Sequence, residues 1–313
     1  MAEATVEVSS PESGARLGVA LTGHWLALDQ IQRLARRADE LGYAVVLVDG
    51  DASLLPQRPD APLYDPSVLA ALALAATSRT RVGSIRLPAF WNPLLLARSL
   101  VTLQEASAGR MLGFFGAGVG RRVGRLGLPV LSGRQRVAQL DETLDIVRRL
   151  LAGETVSHRS PRIQLEQAFV QPPSQPVPLV VAAAGPQGLA VVERHADVWD
   201  ANVPPLRERL EPLRARLSRK LETWIWVFAR PGASIEAAAK DYHRHCPWFA
   251  DVAGPALERA LLWGEPDRCR EQLSTLRALL DVDLPVLDLV GLDESAALGA
   301  LEALAPAKKT KFS

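Results

Sequence analysis

Eight short apolar runs, each followed by a stretch with helical periodicity, predict a closed (β/α)₈ barrel for this chain. Two further observations point the same way. The runs are apolar at consecutive residues and do not alternate, which is how strands covered on both faces of a parallel sheet read. Several of the stretches between them open on a proline, placed where its missing N–H costs nothing.

The first run is Leu17 to Leu21, and the helix after it, near Leu28 to Leu41, sets Leu34, Ala35, Ala38 and Leu41 at helical spacing. Ala44 to Val48 is the second run, ended by Asp49-Gly50-Asp51. Arg81 to Leu87, Met111 to Phe115, Leu179 to Ala183, Asp197 to Ala201, Thr223 to Ala229 and Val286 to Val290 complete the set. Asp65-Pro66, Asn92-Pro93, Gly185-Pro186 and Glu265-Pro266 mark helix starts, with Asp65 and Asn92 as N-caps. A further helix, about Arg134 to Leu151, carries Leu140, Leu144, Val147 and Leu151 along one stripe and ends at Gly153.

Between that helix and the fifth run, Gly153 to Pro178 is rich in Pro and Gln and reads as irregular. Such a segment suits a linker or a barrel loop. Because the alternation resumes unchanged after it, one barrel domain over residues 15–305 is expected, between a disordered tail, 1–14, and a C-terminal tail, 306–313. An open doubly wound sheet is the rival, but it would put a glycine-rich fingerprint after the first strand. That strand ends in Thr22-Gly23-His24-Trp25.

With 313 residues, 48% of them hydrophobic, the chain has enough apolar sequence for one large core. A formal net charge of +1 offers no broad basic surface, which argues against a nucleic-acid partner. Cys246 and Cys269 form neither a disulfide framework nor a ligand pattern. His243 and His245, the only close pair of histidines, point apart on a helix and read as surface residues beside Tyr242, so no metal is expected. No run is long or apolar enough to span a bilayer. Met1 to Ser13 lacks the features of a signal peptide, so a cytoplasmic protein is expected.

The stretch from Asp65 to Gly120 resembles the luciferase-like superfamily of flavin-dependent monooxygenases and deazaflavin-dependent reductases. The matching pieces are Ala75-Ala76-Thr77-Ser78 before the third strand, Ser107-Ala108-Gly109-Arg110 before the fourth, and Gly116-Ala117-Gly118-Val119-Gly120 after it. Downstream, Arg134 to Gly153, Leu179 to Trp199 and Trp263-Gly264-Glu265-Pro266 resemble further elements of that family in the right order.

The resemblance implies FMN as cofactor, its reduced form supplied by a separate reductase, used with O2 to oxygenate a small organic substrate. The alternatives are the deazaflavin coenzyme F-420 with hydride transfer, and a paralogue that binds flavin without turnover. A homodimer is implied as well. Gly116, Gly118 and Gly120 let backbone N–H groups approach a bound anion. Arg121 and Arg122 supply countercharge, and the helix opening Gly185-Pro186-Gln187-Gly188 offers a second phosphate site. The same glycines and arginines also suit a plain turn in a solvated cationic loop. Many flavin monooxygenases of the family carry a histidine just after strand two, and here Val48-Asp49-Gly50-Asp51 has none. His24, at the end of strand one, is the substitute proton-transfer residue, with Asp51 the second candidate. Trp25, Trp91 and Asn92 are candidate pocket walls. A bulge is expected at Ser84 to Leu87, where the family often ends strand three with one.

Overall fold

The computed structural model of the chain describes residues 16–22, 25–48, 50, 64–118 and 127–306. Strands β1 (Gly18–Leu21), β2 (Val45–Val48), β3 (Arg81–Arg86), β4 (Met111–Gly116), β7 (Leu179–Ala182), β8 (Val198–Asp200), β9 (Glu222–Pro231) and β11 (Leu284–Asp288) pair in parallel in that order. β11 returns to β1, and β8 pairs with β9, so the sheet closes into an eight-stranded barrel. These are the eight runs expected from the sequence. Boundaries moved by a residue or two, most at β11, which starts at Leu284.

Helix α1 (Leu28–Leu41) buries Ile31, Leu34, Ala35 and Ala38 against the barrel. The expected proline starts open α2 (Pro66–Ala76), α3 (Pro93–Ala106), α5 (Pro186–His195) and α9 (Pro266–Leu280). Asp65 and Asn92 each accept two first-turn N–H groups, as caps do. α4 (Gly133–Leu151) opens instead on Ser132 in a capping box with Gln135. The terminal helix α10 (Glu294–Ala303) closes against the first, where the Tyr43 hydroxyl donates to the Leu301 carbonyl at 3.0 Å.

Three details depart from the sequence reading. Inside the segment 153–178 lies an antiparallel hairpin, β5 (Val156–Arg159) and β6 (Gln164–Ala168). It packs Val156, Ile163, Ala168 and Val170 onto Ala97, Ile146 and Leu150. A short strand β10 (Leu261–Gly264) leaves α8 (Gly254–Ala260) without a turn and extends the outer end of β9. The bulge expected at Ser84 to Leu87 is absent: β3 keeps regular register with β4 through Arg86, and a 3₁₀ turn, Pro88–Phe90, carries the chain away.

Asp39 fastens the base of the barrel. Its carboxylate accepts from Ser78 N at 3.1 Å, Ser78 Oγ at 2.9 Å, Arg79 N at 2.9 Å and Thr80 N at 2.7 Å. Burial alone would raise its pKa, but these N–H donors, Thr80 and Arg79 first, hold it well below the usual carboxylate range. Its folded pKa is therefore below the unfolded one. The stabilisation is complete above the ordinary carboxylate pKa and is lost as pH falls through the folded value. Asp39→Asn is expected to cost about 2–3 kcal/mol at pH 7, the scale of a hydrogen bond to a charged group. Urea melts down to acid pH check it: the variant should lack the acid-labile part of the wild-type profile.

Candidate active site

Inward positions along the barrel strands follow period two and stack in layers. Val45, Leu47, Leu112, Phe114, Val180, Val198, Trp224, Leu284 and Val286 form the closed apolar layers. The next inward position toward the C-terminal ends is Thr22 just past β1, Gly116 on β4, Asp200 on β8, Trp226 on β9 and Asp288 on β11. All five line one cavity of about 600 Å³ at the C-terminal mouth. That volume falls within the roughly 300–1,000 Å³ of cofactor and ligand sites, and this end of a parallel barrel is where active sites are built.

One side of the cavity is glycine and alanine. Gly116 pairs with Ala182 across β4 and β7, so the turn after β4 and the turn after β7 share a patch of rim. Gly116, Gly118, Gly185 and Gly188 all line it. Gly118 has φ +70°, and a Cβ there would lie 2.7 Å from Leu87 Cδ1, so no larger residue fits this turn unstrained. At Gly188 a Cβ would meet Ala183 Cβ at 2.8 Å, which is how closely the start of α5 rides on the strand before it. Gly185 caps α5 without a side-chain hydrogen bond. The first-turn N–H groups of Gln187 and Gly188 therefore keep the free donors and positive end-charge that favour an anion. The Gln187 side chain itself is exposed.

The other side is aromatic and carries the titratable groups. It is built by β9, by β11, and by α7 (Ile235–His245) with the 3₁₀ turn Pro247–Phe249. Asp200 accepts from Asn202 N at 2.9 Å and from Trp226 Nε1 at 2.7 Å. Burial nonetheless pushes its carboxyl up to about 7. Asp288 accepts from Val290 N at 3.0 Å, and burial raises its pKa too, against Val290 N–H and the charge of Arg230. Tyr242, His245 and Cys246 complete this side.

The sequence-expected residues divide clearly. Gly116, Gly118, Gly185 and Gly188 come together as the small-residue wall. Trp25 stands behind the opposite wall, its ring edge-on to His245 at 5.1 Å. Asn92 spends its side chain capping α3, and Trp91 packs against the main core; neither lines the cavity. His24, Asp51, Gly120, Arg121 and Arg122 lie outside the described residues. The surface reading of the histidine pair holds for His243 and fails for His245, which is 4% exposed. Spacing explains it: Ala238, Tyr242 and His245 share the buried face of α7. Asp200 and Asp288 are not among the sequence-expected residues, although a carboxylate closing an apolar strand is the signal that marks them. Among the described residues no group of three or more His, Cys, Asp or Glu is placed to hold a metal, and no helix is long and apolar enough to cross a membrane.

Residues 8–282 match the luciferase-like monooxygenase family. The chain belongs to that family. It is 25% identical over 205 residues to an F420-dependent hydroxymycolic acid dehydrogenase of Mycobacterium tuberculosis, covering 64% of this chain and 56% of that protein. It is 34% identical over 173 residues to a limonene 1,2-monooxygenase of Rhodococcus erythropolis, covering 52% of this chain and 41% of that protein. The matched stretches thus span about half the length of these relatives. Among solved structures, an F420-dependent secondary alcohol dehydrogenase superposes with a TM-score of 0.75 at 17% identity, over 93% of this chain and 99% of that one. That likeness is one of fold.

Proposed function

We propose that this chain is an oxidoreductase that seats a flavin-class cofactor in the rim cavity, with the deazaflavin coenzyme F420 as its redox partner and a small organic molecule as substrate. The observation that carries this reading is the convergence of two anion-favouring turns on one cavity of about 600 Å³: Gly116 to Gly118 after β4, and the N-terminus of α5 at Gly185 to Gly188. Apolar walls suit a flat ring, and backbone N–H groups suit the phosphate of its side chain. When bound, such a cofactor supplies hydride chemistry; the barrel orients the substrate and excludes water. Deazaflavin is favoured because one relative is a dehydrogenase of that dependence, and because hydride transfer to or from oxygen-bearing carbon needs a proton at the same place. The mouth holds two carboxyls, Asp200 and Asp288, that burial keeps protonated to higher pH than usual.

A second reading, reduced FMN with O2 and a separate reductase, is supported by the limonene monooxygenase relative and by the apolar cavity walls. Parallel binding titrations of the deazaflavin coenzyme, oxidised FMN, reduced FMN and riboflavin separate the readings. The deazaflavin coenzyme is expected to bind best, and FMN to bind better than riboflavin. Arg121→Ala or Arg122→Ala should weaken FMN by about 1.5–3 kcal/mol, the worth of a charge-assisted hydrogen bond, and leave riboflavin unchanged. Tight reduced FMN with no deazaflavin binding would select the oxygenase. Equal loss for FMN and riboflavin would take the arginines away from the phosphate. Binding without turnover would mark a non-catalytic paralogue.

A further inference from the structure

The cavity wall opposite the glycines stands apart from the two anion-favouring turns. It is made by Trp226, Phe228, Tyr242, His245, Asp288 and Val290. Most of it is apolar, and three polar groups stand in it. Tyr242 is 3% exposed and His245 4% exposed, and among the described residues neither the Tyr242 hydroxyl nor His245 Nδ1 has a hydrogen-bond partner. The two lie three residues apart on α7 and so share a face. In Asp288, Oδ1 is anchored by Val290 N–H, while Oδ2 accepts no hydrogen bond from the described residues.

Tyr242 feels the charge of Asp288, and His245 that of Arg230. Burial, and then the charges of Cys246, Asp251 and Asp288, hold the Tyr242 phenol protonated well beyond its ordinary range. Burial, then Arg230, lowers the His245 pKa, leaving a neutral ring with one nitrogen to accept. A buried polar atom without a partner gives up its hydration for nothing, and such atoms are rare in folded proteins. Tyr242 and His245 line the same cavity as this half-anchored carboxyl, and a ligand atom reaching all three would satisfy them together.

We propose that this wall is the substrate subsite, that it takes an uncharged, largely apolar molecule bearing one hydroxyl or carbonyl oxygen, and that Asp288 exchanges a proton with that oxygen while Tyr242 and His245 hold it. The proposal rests on the oxidoreductase reading above. In the oxidising direction the alcohol O–H proton passes to the Asp288 carboxylate as the carbon–oxygen double bond forms. The C–H bond breaks with its electron pair, which leaves as hydride to an oxidised flavin-class cofactor. Reduction of a carbonyl reverses both transfers. An anionic substrate would be repelled by Asp288 in the ionised form that takes the proton, and a polyol would strand its further hydroxyls against Trp226 and Phe228.

The test is saturation-transfer NMR on the cofactor-free full chain with 1-phenylethanol, acetophenone, ethylbenzene and glucose 6-phosphate. The alcohol and ketone are expected to bind about tenfold more tightly than ethylbenzene, the worth of one net hydrogen bond, and the sugar phosphate not at all. Tyr242→Phe and Asp288→Asn should each erase most of that preference and leave ethylbenzene binding unchanged. Tyr242→Phe removes only an unsatisfied hydroxyl, so its melting temperature should match or exceed the wild type's. Equal affinity for 1-phenylethanol and ethylbenzene, a preference intact in both variants, or displacement of the alcohol by glucose 6-phosphate overturns the subsite. The probes are read without cofactor. Failure here beside intact cofactor binding removes the subsite alone, and the reverse pattern removes only the cofactor reading.

Discussion

Arg230→Leu is expected to cost about 2–4 kcal/mol of folding stability and to loosen the cavity wall at the outer end of β9. The residue is 4% exposed, yet it carries a full charge into the fold. Its Nε donates to Asp241 at 3.0 Å and its Nη1 to the Ala229 carbonyl at 2.8 Å, and its Nη2 binds the Val290 carbonyl. Its guanidinium carbon lies 3.9 Å above the Phe228 ring centroid. Removing one member of a buried ion pair costs about 3–5 kcal/mol, but the Asp241 side chain is 41% exposed and rehydrates, which lowers the expectation. The two carbonyls have no such recourse. Lysine should not rescue: a point charge on a flexible stem cannot reproduce a planar fork that serves three acceptors and stacks. Urea melts of the Leu and Lys variants check this, and a Leu variant within about 0.5 kcal/mol of wild type, the range of ordinary surface changes, sinks it. The wall is involved because Val290 also supplies the N–H that anchors Asp288.

The barrel was legible because its strongest signals are local. An unbroken run such as Val45-Val46-Leu47-Val48 has no amphipathic alternative, and a proline after Asp or Asn fixes a helix start with two independent preferences. The hairpin in 153–178 was hidden because its exposed, polar strands, Val156–Arg159 and Gln164–Ala168, owe their place to a few residues seated on α3 and α4. β10 was hidden because it follows α8 with no turn residue between them. Regular pairing carried β3 through the position where the resemblance suggested a bulge.

The glycine side of the cavity could be read from sequence because backbone freedom and a helix start leave marks in residue type, as at Gly118 and at Gly185-Pro186. The reactive side could not be read so directly. Tyr242 and His245 reach it from a helix that follows β9; helical spacing marks their shared buried face but not the cavity it meets. Asp200 and Asp288 did leave a mark. Once strand phase is fixed, Val198 facing inward makes Asp200 face inward, and Leu284 and Val286 do the same for Asp288.

Asp200 gives the other large expectation, a stability profile with a sign opposite to that of Asp39. Burial raises its carboxyl from 3.8 in the unfolded chain to about 7 in the fold, with Asn202 N–H and the Trp226 indole pulling the other way. Between those two values the native state holds a proton that the unfolded chain has released, so stability falls as pH rises. The contribution is fully present below about 4 and fully lost above about 7. Across this span of about three pH units, at 1.36 kcal/mol each, the change is on the order of 4 kcal/mol. Asn in place of Asp200 keeps the volume and one acceptor oxygen and has no proton to lose. Asp200→Asn should therefore melt at lower urea than wild type near pH 4.5, where a hydrogen bond worth about 1 kcal/mol is sacrificed. It should melt at higher urea near pH 8, where wild type carries a buried, ionised carboxylate. The other titratable groups on the cavity wall, Asp288, Tyr242, His245 and Cys246, are unchanged in the variant, so their contribution largely cancels in the difference. Two urea midpoints that run parallel from pH 4.5 to 8 would mean that Asp200 is ionised throughout, and the carboxyl would then hold no proton to offer the site at neutral pH.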